Sequence, residues 1–365
     1  MRVLFYVSSR VWSAAARVAI TAAKGLAAKG HEVAVACAEG SQLAARTSDA
    51  RIDAVTMGKS ASAAGDAWDL RRAMEHRSIE VAIVTNERDH LVVASARLLG
   101  NRGAILRHVR PLERIQLGRG GKIALKLAAS GLIFSSEKDA TEATGLKGWA
   151  VPPCVAPLGV DPSGFDSAEP MSRGEVGLAN DALLIACSYE PSGRARIATV
   201  LRALALLTPR HPELHAMVFG PGSLDEALRM HASALAVGAS VTFLGEVDDA
   251  PSVMRAANIG WVAAEGDAGA YACLDAMACR LPVIAERNML TQQYVADGIT
   301  GLLLAQGDPP DTASEVAEFI ADRSRCAAMG NAGRARVQRE FSESAMIEGF
   351  DRAINAAGDR VRQAV

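Results

Sequence analysis

No two of the six cysteines, Cys37, Cys154, Cys187, Cys273, Cys279 and Cys326, stand at zinc-finger spacing, and no CxxC occurs. Several lie in apolar runs, which suits buried thiols better than a disulfide framework. No apolar run approaches the ~20 residues a helix needs to cross a bilayer. Met1 leads directly into a strand-like run and not into a signal peptide, so a cytoplasmic chain is expected. The turn after that first run, SSRVWS, lacks the GxGxxG of dinucleotide-binding dehydrogenases. A net charge of -2 leaves no basic excess for nucleic-acid binding. Short-period repeats, low-complexity tracts and metal-ligand clusters are also missing from the sequence.

What is present is a strand–helix alternation that runs twice. Half of the 365 residues are hydrophobic, enough for a sizeable core, and the length favours two domains. In the first half, MRVLFYVSS and HEVAVACA read as buried parallel strands, with a helix between them ending near Lys29 at Gly30. Further strands are expected at 52–56, 81–85, 104–107 and 131–134. A Pro-rich segment, WAVPPCVAPLGVDPSGF (149–165), reads as a linker. The pattern then restarts, with strands at 183–187, 215–219, 241–244, 259–263, 282–285 and 301–304, and a helical tail from Asp311. Such alternation predicts doubly wound α/β domains, whose ligands bind beyond the carboxyl ends of the strands.

The richest segment is 259–304, IGWVAAEGDAGAYACLDAMACRLPVIAERNMLTQQYVADGITGLLL. It reads as strand, small-residue turn, helix, strand, helix, strand. Asp267 and Asp275 bracket the turn and the start of the first helix. A helix N-terminus behind a Gly/Ala turn offers amides and a dipole to an anion, while carboxylates suit hydroxyls. Phosphate and hydroxyls together suggest a sugar nucleotide. Taken alone, Asp267 also suits a helix cap and Asp275 a solvated helix position.

Five segments in order carry a family resemblance. These are PLGVDPSGF (157–165), ATVLRALALLTPRHPELHAMVFGPGSLDEAL (198–228), VTFLGEVDD (241–249), DAMACRLPVIAERNMLTQQYVADGITGLLL (275–304) and GNAGRARVQREFS (330–342). Together they resemble the retaining family 4 of the GT-B glycosyltransferases (group 1) over nearly the whole chain, with a divergent donor site. The resemblance implies two Rossmann-like doubly wound α/β domains facing a cleft. It implies an acceptor-side domain at 1–165, a nucleotide-sugar domain at 166–340, and a final helix, 341–365, returning to the first. It implies a sugar moved from a nucleotide-diphosphate sugar to an acceptor hydroxyl with retention. No metal or cofactor is implied, and cell-surface glycan or glycolipid synthesis is the expected setting. The family's Glu-x7-Glu signature falls on Asp267 and Asp275. Asp267 would meet the donor sugar and Asp275 the ribose. The amides of Ala268, Gly269 and Ala270 would hold the diphosphate. Gly220 and Val247, in the second and third matched segments, join the donor-binding candidates.

Besides shortening both signature glutamates to Asp, the sequence departs from the pattern in two places. The family's Arg–Lys pair after the first strand of the second domain, which neutralises the leaving phosphate, falls on Ser188 or Tyr189 and near Arg194 or Arg196. The glycine-rich first loop is replaced by SSRVWSAAA, where Ser8, Ser9 and Arg10 remain candidate contacts and Trp12 a stacking platform or a packed side chain. These losses leave a non-catalytic binding partner as the alternative function. In the first domain, His108 and Arg110, and less so His90, match the place of a family histidine that meets donor or acceptor. From Arg97 to Lys126 the chain carries Arg97, Arg102, Arg107, Arg110, Arg114, Arg119, Lys122 and Lys126 against Glu113. Ile115, Leu117, Ile123, Leu125 and Leu127 interleave. That pattern suits anionic lipid headgroups at the inner face of the membrane, an anionic glycan or lipid-linked acceptor, or a solvated face.

Overall fold

The computed structural model describes residues 1–58, 62–100, 103–111, 130–142, 153–174, 177–179, 181–247, 249–305 and 307–363, with side chains to residue 359. The chain divides into two compact units, 1–159 with 343–365, and 160–342.

The first unit is built on a seven-stranded parallel sheet. Its strands are β1 (Arg2–Val7), β2 (Glu32–Ala38), β3 (Asp53–Met57), β4 (Val81–Val84), β5 (Ala104–Val109), β6 (Gly131–Phe134) and β7 (Cys154–Val155). The order across the sheet is β3-β2-β1-β4-β5-β6-β7, so the winding reverses between β1 and β4. β4, β5 and β6 are buried at every residue. Parallel sheets covered by helices on both faces favour such apolar runs, unbroken in β4 and β6 and interrupted in β5 by Arg107 and His108. Helices Ala14–Ala28, Gln42–Asp49, Ala63–His76 and Glu87–Leu98 begin at Ser13, Ser41, Ser62 and Asn86. Each of those side chains accepts a first-turn amide and so satisfies a donor that the helix cannot.

The helix Glu343–Gln363 belongs to this unit. Phe350 is fully buried, its ring 5.9 Å from Phe5 and 5.3 Å from the His108 ring. Asp351 accepts from Lys29 Nζ at 3.1 Å and lies 2.9 Å from His31 Nε2.

The second unit holds a six-stranded parallel sheet of β8 (Leu183–Ser188), β9 (Leu214–Phe219), β10 (Val241–Gly245), β11 (Ile259–Val262), β12 (Val283–Glu286) and β13 (Gly301–Leu304). Its order is β10-β9-β8-β11-β12-β13, with the reversal between β8 and β11. Helices Arg194–Leu207 and Pro309–Ala321 pack together over a core that includes Ile197, Leu201, Trp261, Ile284 and Phe319. Helix Gly266–Ala278 packs against Arg323–Glu340.

The division between units falls at Gly159/Val160, ahead of the expected Phe165. Val160 bridges to Ser342, and its amide donates to Phe341 O. The short helix Pro162–Ser167 is held by buried Arg334, which donates to Pro162 O at 3.0 Å and to Asp166 Oδ2 at 2.5 Å. The Pro-rich segment thus holds the division between the units, as expected of a linker, and its described part also carries edge strand β7 and the start of this helix. The helical tail is three helices, Pro309–Ala321, Arg323–Glu340 and Glu343–Gln363.

Among the described residues no helix is long and apolar enough to cross a membrane. Of the basic stretch, Arg102, Arg114, Arg119, Lys122 and Lys126 and the interleaved apolar residues lie outside the described residues. Arg107 is 6 % exposed within β5, so it is not part of a charged surface; the strand's every-residue burial carries it inside. Arg110, just past the strand, is exposed.

Candidate functional site

Where a doubly wound sheet reverses direction, the loops on either side part and leave a crevice at the strands' carboxyl ends. In the second unit that place lies between β8 and β11. The loop after β8 enters a turn at Pro191–Gly193 and then helix Arg194–Leu207. The loop after β11 is Ala263–Glu265, followed by helix Gly266–Ala278. The two loops touch. A Cβ on Gly193 would stand 1.8 Å from Ala263 O, and within the stretch after β11 one on Gly269 would stand 2.7 Å from Ala264 O. Only glycine permits this approach. Glu190 Oε1 accepts the Glu265 amide at 3.1 Å and so ties the loops a second time.

Glu265 is the N-cap residue of helix Gly266–Ala278, yet its side chain makes no cap hydrogen bond. It reaches instead to Arg196, whose Nη1 lies 3.0 Å from Glu265 Oε1. Arg196 Nε donates to Glu286 Oε2 at the end of β12, at 3.1 Å. A small cavity beside this pair is lined by Arg196, Thr199, Trp261, Glu286, Leu304 and Thr312. Asp267 is in the first helical turn and Asp275 two turns on; both are half-buried. Ala268 is half-buried, while Gly269 and Ala270 are buried. The helix thus presents its positive end, and two carboxylates eight residues apart, within one short stretch.

The remaining second-unit candidates distribute as follows. Arg194, largely exposed, donates to Asp225 Oδ2 at 2.6 Å, where Asp225 caps helix Glu226–Ala234. Ser188 ends β8 and Tyr189 is buried, so neither supplies a cation where the family has its Arg. Gly220 follows β9, its amide donating to Gly245 O at 2.8 Å. Val247, after β10, is half-buried.

In the first unit the reversal lies between β1 and β4, and the loops after both strands meet there too. The Ser8 amide donates to Asp89 Oδ2 at 3.2 Å, and Asn86 Nδ2 donates to the same oxygen at 2.7 Å. Asp89 is fully buried, which raises its carboxyl above the ordinary value; the Ser8 and Asn86 hydrogen bonds oppose that. His90, beside it, is 3 % exposed, and no hydrogen bond reaches its Nε2 among the described residues. Burial, with Arg107's charge adding to it, lowers His90 from 6.5 to about 4. Tyr6 donates to Asp66 Oδ2 at 3.2 Å, and burial followed by the charges of Asp89 and Asp66 raises its phenol. His108 is buried against Phe350, its Nε2 3.4 Å from Ser135 Oγ. Ser9 Oγ donates to Val11 O at 3.0 Å, and Arg10 is exposed. Trp12 carries the Arg46 guanidinium 4.2 Å from its ring centroid, so one face is already covered.

The sequence reading missed Glu190, Glu265 and Glu286. All three occur where loops meet the carboxyl edge of the sheet. Their position just past predicted strands was the available signal, but no spacing marks them as a set.

Residues 172–336 match the model of the family described as glycosyl transferases group 1. A GDP-mannose-dependent monoacylated alpha-(1-6)-phosphatidylinositol monomannoside mannosyltransferase from Corynebacterium glutamicum is 30% identical over 207 residues, 53% of each chain. The chain spans about half the length of the curated relatives it matches. Among solved structures, a glycosyltransferase from Rickettsia africae superposes with a TM-score of 0.82 at 15% identity, over 98% of each chain. The Anabaena protein HepE, in complex with UDP and glucose, superposes with a TM-score of 0.80 at 20% identity, over 98% of this chain and 100% of that one. The chain therefore has the two-unit GT-B fold of solved glycosyltransferases, and its residues 172–336 are similar to the glycosyl transferases group 1.

Proposed function

We propose that this protein is a retaining glycosyltransferase that moves a sugar from a nucleotide-diphosphate donor to an acceptor hydroxyl in glycan or glycolipid synthesis. The observation that carries the reading is the Gly266–Ala278 helix. Its N-terminus lies at the sheet reversal, Asp267 and Asp275 stand on it at the family's spacing, and it falls inside the matched residues. In this reading the first-turn amides hold the diphosphate, where charge develops as the bond to the sugar breaks. Asp267 accepts from sugar hydroxyls and Asp275 from the ribose. The relatives' names point to nucleotide sugars of two kinds, GDP-mannose for the Corynebacterium enzyme and UDP-glucose for HepE. The former also supports a lipid-linked acceptor, with the basic stretch 97–126, apart from its buried strand Ala104–Val109, as a region of contact with anionic membrane.

A second reading, a non-catalytic homologue that binds a partner, is favoured by the cations. Arg194 is committed to Asp225, and Arg196 to Glu265 and Glu286. A thermal-shift panel of UDP-, GDP- and ADP-sugars separates the two. Catalysis requires stabilisation by at least one, and no stabilisation at millimolar concentration supports the second reading. Asp275→Ala is expected to weaken the effective nucleotide about tenfold or more, the loss of a charged acceptor of ~1.5–3 kcal/mol. Unchanged calorimetric affinity would remove Asp275 from the ribose.

A further inference from the structure

We propose that Glu265 is a built-in stand-in for phosphate. Its carboxylate is paired with Arg196 and surrenders it to the donor's diphosphate. This rests on the donor-site reading given above and adds a residue which that reading does not use.

Three observations carry it. First, Glu265 stands at the positive end of the Gly266–Ala278 helix, the place that favours an anion, but makes no cap bond there and spends its charge on Arg196. Second, the two pairs of Arg196 are unequal. The Glu286 side chain is 26 % exposed and the Glu265 side chain 41 %, so the Glu265 pair is the better solvated and the cheaper to break. Third, the Glu265 backbone does not depend on its side chain. Its amide is held by Glu190 Oε1, and its carbonyl receives the Gly269 amide at 3.0 Å. Exchange needs only rotation of the Glu265 side chain. Arg196 stays anchored through Nε on Glu286, and Nη1, now on Glu265, passes to a phosphate oxygen. Arg is suited to this because its fork can serve two acceptors at once.

The arrangement explains how a site with Glu190, Glu265, Asp267 and Glu286 around it can accept a dianion. One carboxylate leaves the cation as the phosphate takes its place. It also predicts a sign that a merely structural ion pair would not give. If Glu265 served only to hold Arg196 in position, removing its charge would weaken ligand binding; as a competitor, its removal tightens binding.

The test is calorimetry of UDP, GDP, ADP and uridine on the full chain, comparing wild type with Glu265→Gln, each first shown to be folded by circular dichroism. Glu265→Gln is expected to tighten the diphosphate about three- to fivefold, the scale of a half-exposed pair removed from competition. Uridine affinity should not change. Wild type binding a diphosphate with Glu265→Gln equal or weaker overturns the stand-in and leaves the donor site intact. Neither protein binding UDP, GDP or ADP removes the donor-site reading and this proposal together. Binding by Glu265→Gln alone supports both.

Discussion

Stability should fall steeply between pH 6.5 and pH 4 because of one buried histidine. His90 is 3 % exposed and its native value is lowered to about 4, against 6.5 for the ordinary group. A lowered histidine means that the unfolded chain takes up a proton before the native state does. The stabilising difference is therefore complete above about pH 6.5 and is lost as the pH falls towards 4. With those two values, linkage removes ~3 kcal/mol between pH 7 and pH 4. Asp89 works the other way. Its native carboxyl is raised, so the folded state takes up that proton first and recovers part of the loss at the acid end. The control is His90→Gln, which deletes the titration and retains most of the volume. Urea unfolding at pH 7, 6, 5 and 4, followed by near-ultraviolet circular dichroism, gives the stability of each variant. Wild type should lose about 3 kcal/mol more than His90→Gln over this range, with most of the difference arising below pH 6. Parallel curves for the two proteins would mean that His90 is protonated in the native state, and the burial argument would fail.

Two further expectations concern packing. Phe350→Ala removes a fully buried ring lying against Phe5 and His108, and should cost ~3–5 kcal/mol, read as a lowered midpoint of chemical denaturation. Gly193→Ala must push the loop after β8 away from Ala263 O. It should cost ~1–3 kcal/mol and weaken nucleotide binding in the same calorimetric assay, and an unaffected midpoint would show that the loops part freely.

The fold was legible because its signal is physically strong. Runs such as VAIV (81–84) and LLIACS (183–188) can satisfy their apolar content only as strands buried on both faces, and they are found there. Gly131–Phe134 and Gly301–Leu304 have the bounds the sequence suggests. The two-residue strand Cys154–Val155 was missed because it is too short for any alternation to show and sits among prolines. The site was legible only in part. Asp267 and Asp275 stand on one helix, where spacing along the sequence becomes spacing in space. The pairing of Arg196 with Glu265 and Glu286 joins residues 69 and 90 positions distant, on opposite sides of several strand crossovers. No local pattern encodes that. The same holds for Arg107, which reads as surface charge in a basic stretch but lies on a strand whose every residue is buried.

The membership of helix Glu343–Gln363 in the first unit has a consequence for biosynthesis. The second unit, 160–342, is one continuous stretch, whereas the first is assembled from 1–159 and 343–365. A chain emerging from the ribosome thus releases the whole of the second unit before the first can bury Phe5 and His108 under Phe350. The usual order, in which the N-terminal domain matures first, is reversed for this chain. For the time it takes to make 183 intervening residues, counted from 160 to 342, the open face of the first sheet is exposed to chaperones and to its own kind.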